Sequence, residues 1–284
     1  MRCSLLSLTH AALGGLAIAA AWAIAYTQSP KLVDAKHLQD WAFSKLWSHM
    51  SQTMAARLDA VRRPLWAQAH GRVLELGIGH GEALALLPRD ADGRVHGISS
   101  YTALEPNAFL HARLARTAAA AGLAVTYDPA TCPDSARADT GNPGGYPVLT
   151  IVNATLDRGY APESVRAPFD VIIASMVLCS VADVHANLQA IHALLAPGGR
   201  FIFVEHVRHT DDADSLQLRA LAALQTAMTP VWRLVTGNCH LDRRTGRAIA
   251  EMPGWARVEY RTHRGTDGLV DRLTPFVYGV AIKE

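Results

Sequence analysis

Only four cysteines occur in the chain, Cys3, Cys132, Cys179 and Cys239, and none is part of a Cys-x-x-Cys pair. That spacing excludes a zinc ribbon and a densely bridged secreted scaffold, so reduced thiols in a cytosol-facing part are the default expectation. His, Asp and Glu show no metal-ligand spacing such as H-E-x-x-H, and no metal is expected. Charge of one sign is lacking too: 27 Lys and Arg stand against 25 Asp and Glu, a net +2 without a basic cluster. No nucleic acid is expected as a partner. What remains is a half-apolar chain of 284 residues, long enough to bury one substantial core, with no internal repeat and no heptads.

One long hydrophobic run exists, at the start. Leu5 to Tyr26 reads LLSLTHAALGGLAIAAAWAIAY, close to the roughly 20 residues a helix needs to cross hydrocarbon, with only Arg2 before it in charge. Three readings apply: a retained anchor, a cleaved signal peptide with Ala21-Trp22-Ala23 near its cleavage point, or a core helix. The run exceeds the roughly 7–15 apolar residues of signal peptides, so residues 1–28 are taken as a retained membrane anchor. Its many Ala and Gly14-Gly15 also suit an embedded hairpin or an interfacial helix. After Pro30, Leu38, Trp41, Phe43, Leu46, Trp47, Met50 and Met54 recur at near-helical spacing, which predicts a helix to about Val61, stopping near Pro64. Residues 29–67 are read as an amphipathic linker packed on the main domain or, more sharply, as a lid over the substrate mouth.

Residues 68–284 read as one domain in which apolar runs alternate with helix-like stretches, the pattern of a parallel sheet with crossover helices. Strands are expected at about 72–76, 101–104, 148–152, 169–175, 200–205, 256–262 and 276–282. Helices are expected at about 81–87, at 109–121 closed by Gly122, at 183–195, and at 216–235, the last interrupted or ended near Pro230. Leu123–Tyr127 and Val148–Val152 compete for the third core strand; the second is preferred because it leads straight into Asn153-Ala154-Thr155. Asp90 to Ser100 reads as an irregular connection. Asp128 to Pro147, crowded with Pro, Gly, Asp, Asn and Ser, reads as a long exposed loop.

The first strand ends in Val73 to Glu82, VLELGIGHGE, with Gly77, Gly79 and Gly81 at alternate positions. Side-chain-free residues between a strand and a helix let a ligand approach bare backbone N–H groups. There is no G-x-x-x-x-G-K-[ST], hence no P-loop, and Glu82 stands where the dinucleotide fingerprint needs its third glycine, which disfavours an NAD-dependent oxidoreductase. Glu105, following the next strand, can accept hydrogen bonds from both hydroxyls of a ribose; the plainer alternative is an exposed acid in a turn before Pro106.

The ordered set E-L-G-x-G-x-G, Glu105-Pro106-Asn107, Phe169-Asp170-Val171-Ile172-Ile173 and Leu195-Ala196-Pro197-Gly198-Gly199 resembles the class I S-adenosylmethionine-dependent methyltransferases, over about Arg72 to Val207. A narrower set resembles the membrane-anchored methyltransferase-like family, whose members methylate small thiols and carry an N-terminal anchor. It comprises Val177-Leu178-Cys179-Ser180-Val181, Glu205-His206-Val207, Pro230-Val231-Trp232, Gly237-Asn238-Cys239-His240-Leu241 and Pro275 with Tyr278-Gly279. Asn238 splits that family's usual Gly-Cys pair, and segments 90–100 and 128–147 look like insertions.

This resemblance implies an α/β fold: a doubly wound, mostly parallel, seven-stranded Rossmann-like methyltransferase sheet with an antiparallel last strand, plus the N-terminal hydrophobic helix. The implied cofactor is S-adenosyl-L-methionine. Gly77, Gly79 and Gly81 would lie under its methionine part with Glu75 near the ammonium group, and Glu105 would hold the ribose. Thr155 and Leu156 would border the adenine, with Asn153 or Ala154 beside it. Met176 and Leu178 would close the other side, plain core packing being the alternative for Met176. His206, just past the fifth strand, is the candidate catalytic base for an acceptor thiol; alternatively it only shapes the site, bonded to Glu205 or a backbone carbonyl. Cys179 reads as a buried small hydrophobe rather than a nucleophile. Trp232, Cys239 and Tyr278 read as walls of the acceptor pocket or as core. The expected function is methyl transfer to a small lipophilic acceptor, first of all a thiol, at a membrane reached through the N-terminal helix and with the catalytic part facing the cytosol. Endoplasmic reticulum and lipid droplet are the membranes considered. A lipid or quinone methyltransferase, or a non-catalytic methyltransferase-like scaffold, are the alternatives.

Overall fold

The computed structural model describes residues 35–132, 145–156, 165–166, 168–209, 215–265 and 268–284. The expected anchor, residues 1–28, and most of the polar loop lie outside the described residues. Among the described residues no helix is long and apolar enough to cross a membrane.

The chain order is α1 (Ala35–Trp66), β1 (Gly71–Leu76), a short 3-10 turn (Glu82–Leu86), β2 (Ile98–Leu104), α2 (Ala108–Ala120), β3 (Ala124–Tyr127), β4 (Val148–Val152), β5 (Phe169–Ser175), α3 (Val184–Leu194), β6 (Leu195–His206), α4 (Leu216–Val235), α5 (Thr245–Glu251), β7 (Trp255–His263), α6 (Gly268–Leu273) and β8 (Phe276–Lys283). The eight strands form one sheet in the order β3-β4-β2-β1-β5-β6-β8-β7. The pairings from β3 through to β6 are all parallel, and β8 runs antiparallel to both β6 and β7.

Strands covered on both faces should read as unbroken apolar runs, and β5 with its VIIA core does. Side chains alternate across the sheet. Val73 packs with Leu58, Trp66 and Leu114 of α1 and α2 on one face; Leu74 and Leu76 pack with Leu188, Ile191 and Ile249 of α3 and α5 on the other. The chain goes one way from β1 to β2 and the other way from β5 to β6, so the carboxyl ends of β1 and β5 flank the point where open sheets of this kind bind ligands.

Several expectations are corrected. The sheet has eight strands, not seven, because Ala124–Tyr127 and Val148–Val152 are both strands and pair with each other. Pro230 does not break α4, which runs through it over the expected span Leu216–Val235, while α1 ends at Trp66, close to Pro64 as expected. The last two residues of α1, Leu65 and Trp66, are held by burial. The helix expected after Gly81 is only a five-residue 3-10 turn. The start of the polar loop is not exposed: Asp128 and Cys132 are buried, and Asp128 accepts the Thr131 hydroxyl at 2.7 Å. Gly122 (φ 81) does close α2: its N–H meets the Ala119 carbonyl and the Leu123 N–H meets that of Ala118, satisfying the helix end.

Candidate active site

Strand register brings the predicted residues to one level. Leu76 pairs with Leu104 and Ala174, and Leu104 pairs with Val152. Gly77, Glu105, Asn153 and Ser175 therefore follow side by side at the carboxyl edge of the sheet. Backbone bonds tighten this edge: Gly77 N–H donates to the Leu104 carbonyl at 2.7 Å, and Glu105 N–H to that of Val152 at 3.0 Å.

The three glycines all take positive φ, 56° at Gly77, 65° at Gly79 and 76° at Gly81, where an L side chain is strained. They also permit close packing. A Cβ on Gly77 would lie 2.7 Å from Val177 Cγ2, one on Gly81 2.8 Å from Leu114 Cδ1, and one on Gly79 2.9 Å from Nε1 of Trp47. Trp47 of α1 thus sits directly on the glycine turn. Its indole N–H is buried and meets no hydrogen-bond acceptor among the described residues.

Glu105 is buried, and its carboxylate bridges two backbone donors: Oε2 accepts Gly79 N–H at 2.8 Å and Oε1 accepts Asn107 N–H at 2.9 Å. Burial pushes this carboxyl up to about 7 against the pull of those two donors. Asn107 caps α2 through Phe109 N–H at 3.1 Å, and its side-chain amide donates to the Asp40 carbonyl at 2.9 Å, tying α1 over the site. With acceptor capacity left on both oxygens and a side-chain-free amide turn beside it, Glu105 suits a vicinal diol next to a cationic or polar chain. This set of donors and acceptors fits the implied cofactor, and Trp47 covers the turn it would lie against.

Glu75, expected near an ammonium group, is fully within the fold. It accepts the Tyr101 hydroxyl, and burial raises it to about 7 although Tyr101 and Arg62 pull the other way. Arg62 in turn donates to Ser175 Oγ at 2.6 Å. This network supports the floor of β1, β2 and β5. Asn153 N–H donates to Thr131 Oγ1 at 3.1 Å, Ala154 packs on the face of the sheet that carries α3 and α5, Thr155 is exposed and Leu156 is buried. Met176 stands at φ 60, a rare value for a side-chain-bearing residue, with its N–H on the Val204 carbonyl at 2.7 Å. Leu178 is wholly buried.

At the end of β6, Glu205 and His206 part company. Glu205 accepts Val177 N–H at 3.1 Å and Cys179 N–H at 3.3 Å, clamping the turn after β5, and burial raises it to about 7. His206 Nδ1 lies 3.7 Å from Cys239 Sγ, while its Nε2 is buried with no hydrogen-bond partner among the described residues. His206 is therefore bonded to neither Glu205 nor a carbonyl in the described contacts. Sequence reasoning missed three participants: Trp47 on Gly79, Tyr101 on Glu75, and Glu205 under residues 177–179. The last had a signal, since an acid inside the apolar run FIFVEH must find donors if buried.

Residues 46–256 match the family model described as a methyltransferase domain. Among curated proteins, thiol S-methyltransferase TMT1A of Homo sapiens is 28% identical over 114 residues, 40% of this chain and 43% of that protein. Thiol S-methyltransferase TMT1B of Rattus norvegicus is 34% identical over 80 residues, 28% of this chain and 30% of that one. The chain thus matches less than half the length of either relative. An O-methyltransferase family protein from Burkholderia thailandensis has the same fold, with a TM-score of 0.52 at 16% identity over 86% of this chain and 59% of that one. A SAM-dependent methyltransferase from Thermotoga maritima superposes with a TM-score of 0.50 at 15% identity over 87% of this chain and all of that one.

Proposed function

Since this chain belongs to the methyltransferase domain family, in the class I form that uses S-adenosyl-L-methionine, we propose that it moves the donor's methyl group onto a small lipophilic thiol at a membrane surface. The observation that carries the reading is the Glu105 carboxylate bonded to the Gly79 amide, an acid joined to a side-chain-free turn at the carboxyl edge of the sheet. The thiol is supported by the two relatives named as thiol S-methyltransferases, and the base it would need by His206 at the end of β6.

When bound, the donor supplies a methyl group already activated on a sulfonium, so this chain need form no covalent bond. Glu105 would hold the ribose, and the turn from Gly77 to Gly81 would receive the methionine part against backbone. Trp47 lies on that turn, so α1 would have to give way to the donor and would then cover it as a lid. Excluding water and aligning the reacting atoms is an orientation effect worth up to about 7–11 kcal/mol. His206 Nε2 accepts the acceptor's thiol proton and leaves the thiolate, the competent nucleophile.

Two features support the membrane. One is the run Leu5–Tyr26. The other is a row on α4 at helical spacing, Leu216, Leu224, Val231 and Leu234, exposed by 81%, 39%, 54% and 51%. Such a stripe, with Arg219 and Arg233 on the same helix, suits the boundary of anionic lipid.

The test is incubation of the full chain in detergent micelles with methyl-labelled donor and simple alkyl and aryl thiols. Thioether and S-adenosylhomocysteine are expected. Label appearing only on phospholipid amines or on a quinone would refute the thiol assignment, and stabilisation by S-adenosylhomocysteine without any turnover would make the chain a scaffold.

A further inference from the structure

The turn after β5 and the loop after α4 bring two thiols together. Cys179 is buried and Cys239 is partly exposed. Their meeting is built by the backbone around Cys239: the Asn238 amide donates to the Ser180 carbonyl at 2.7 Å, and His240 N–H donates to the Cys179 carbonyl at 2.9 Å. Gly237 (φ 66) and Asn238 (φ 70) both adopt the left-handed conformation that folds the chain back after α4, and Arg233 Nε fixes Asn238 Oδ1 at 3.0 Å. Asn238, which separates Gly237 from Cys239, is therefore the residue that latches this loop onto the β5 turn.

The two sulfurs have opposite character. The neighbouring Cys179 thiol, and then the His206 imidazole with Nδ1 3.7 Å away, hold the Cys239 thiol below its ordinary range. The same contact with Cys239, together with burial, holds Cys179 well above its own. Arg243, which donates to the Leu178 carbonyl at 2.7 Å, adds positive charge beside both sulfurs; Glu205 opposes it, and His240 lies next to Cys239. A partly exposed thiolate-forming cysteine next to a buried protonated one is the arrangement of an attacking and a resolving thiol.

We propose that Cys239 and Cys179 form a peroxide-sensitive oxidation site, in which a hydroperoxide oxidises Cys239 and Cys179 closes the product to an intramolecular disulfide. In the first step the Cys239 thiolate attacks one peroxide oxygen; the O–O bond breaks, sulfur loses two electrons, and sulfenic acid and hydroxide (or alkoxide) result. In the second step Cys179 attacks that sulfur, the S–O bond breaks, and its thiol proton leaves with the hydroxyl as water. A dithiol reverses the product by exchange. This site goes beyond the methyl transfer proposed above and does not depend on it.

The full chain in detergent micelles is treated with equimolar hydrogen peroxide, and intact mass, thiol count and peptide maps are read. The expected product is two hydrogens lighter, has lost two thiols, carries a Cys179–Cys239 link and returns to the starting mass with dithiothreitol. Cys179→Ser should instead accumulate a sulfenic acid at position 239, captured by a 1,3-diketone probe, and Cys239→Ser should consume peroxide at least tenfold more slowly. His206→Asn should slow alkylation of Cys239 by iodoacetamide at pH 6 several-fold. The proposal is overturned if the wild-type map shows Cys132 or Cys3 as the oxidised residue, or if Cys239→Ser reacts at the wild-type rate. None of these readouts requires turnover, so failure here is distinct from failure of the methyltransferase reading.

Discussion

The Gly79 amide donates to Glu105 Oε2 at 2.8 Å, joining the turn after β1 to the end of β2. One carboxylate thereby sets the shape of the glycine turn and presents its remaining lone pairs to whatever lies against that turn.

Glu105→Ala removes both roles. It leaves the buried amides of Gly79 and Asn107 without an acceptor, at about 1–3 kcal/mol each, so the melting temperature should fall by several degrees. Glu105→Gln keeps an acceptor for one of them and should lose less stability. Isothermal calorimetry with S-adenosylhomocysteine should show affinity at least tenfold weaker for Glu105→Gln and no measurable heat for Glu105→Ala. Wild-type affinity in Glu105→Ala would remove this acid from the cofactor site.

Three buried carboxyls, Glu75, Glu105 and Glu205, are each raised from 4.5 to about 7 by burial. The folded chain then keeps protons that the unfolded chain has released. Their contribution to stability is full below about pH 4.5 and is lost as pH rises through about 7. Glu75→Gln cannot ionise yet still accepts the Tyr101 hydroxyl, so its stability relative to wild type should improve from pH 5.5 to pH 8. Urea midpoints at the two values test this, and an unchanged difference would mean that Glu75 titrates as an ordinary carboxylate.

Much of this architecture is legible in the sequence. Unbroken apolar runs mark β5 and β6 because both faces are covered, and three glycines before an acid one strand along mark the crevice because few other patterns need bare backbone there. Other features depend on contacts between distant residues. Nothing local tells that Trp47 reaches Gly79, or that Tyr101 caps Glu75. Pro230 looks like a break or an end, yet α4 runs through it to Val235. Ala124–Tyr127 was legible as a strand but loses to Val148–Val152 if only one place is allowed for the two.

Trp47 on Gly79 couples α1 to the glycine turn. Trp47→Ala should expose that turn and speed donor association in stopped-flow measurements several-fold. Turnover should fall, because the cover that excludes water is weaker. Gly79→Ala introduces a strained φ and a Cβ against the indole, and pairing it with Trp47→Ala should recover part of the lost stability while leaving the backbone strain of about 1–2 kcal/mol. Strictly additive losses would mean that helix and turn do not press on each other.

The exposed row on α4 should contact lipid if the chain works at a membrane. Hydrogen exchange on the full chain, compared between anionic vesicles and neutral micelles of a short-chain detergent, should slow in α4 peptides but not in α3. Replacing Leu224 and Val231 by glutamate should abolish the difference by removing apolar contact worth roughly 1.5–3 kcal/mol per side chain. Equal exchange on vesicles and in micelles would mean that α4 is not a lipid contact.

His206 offers the sharpest test of the chemistry. Its Nε2 is buried without a hydrogen-bond partner among the described residues, while Nδ1 faces Cys239, so one ring nitrogen is left to take a proton. General-base help is worth about 10²–10⁴ in rate where the acceptor must be deprotonated. An alkyl thiol, with a pKa near about 8.5 or above, is mostly protonated at pH 7, whereas an electron-poor aryl thiol is already a thiolate there. His206→Asn should therefore lower kcat/KM by at least a hundredfold for the alkyl thiol and only a few-fold for the aryl thiol, with S-adenosylhomocysteine affinity unchanged. If both acceptors slow equally, His206 shapes the pocket instead. If neither slows, the proton leaves by another route and the corner at the end of β6 is not where the acceptor binds.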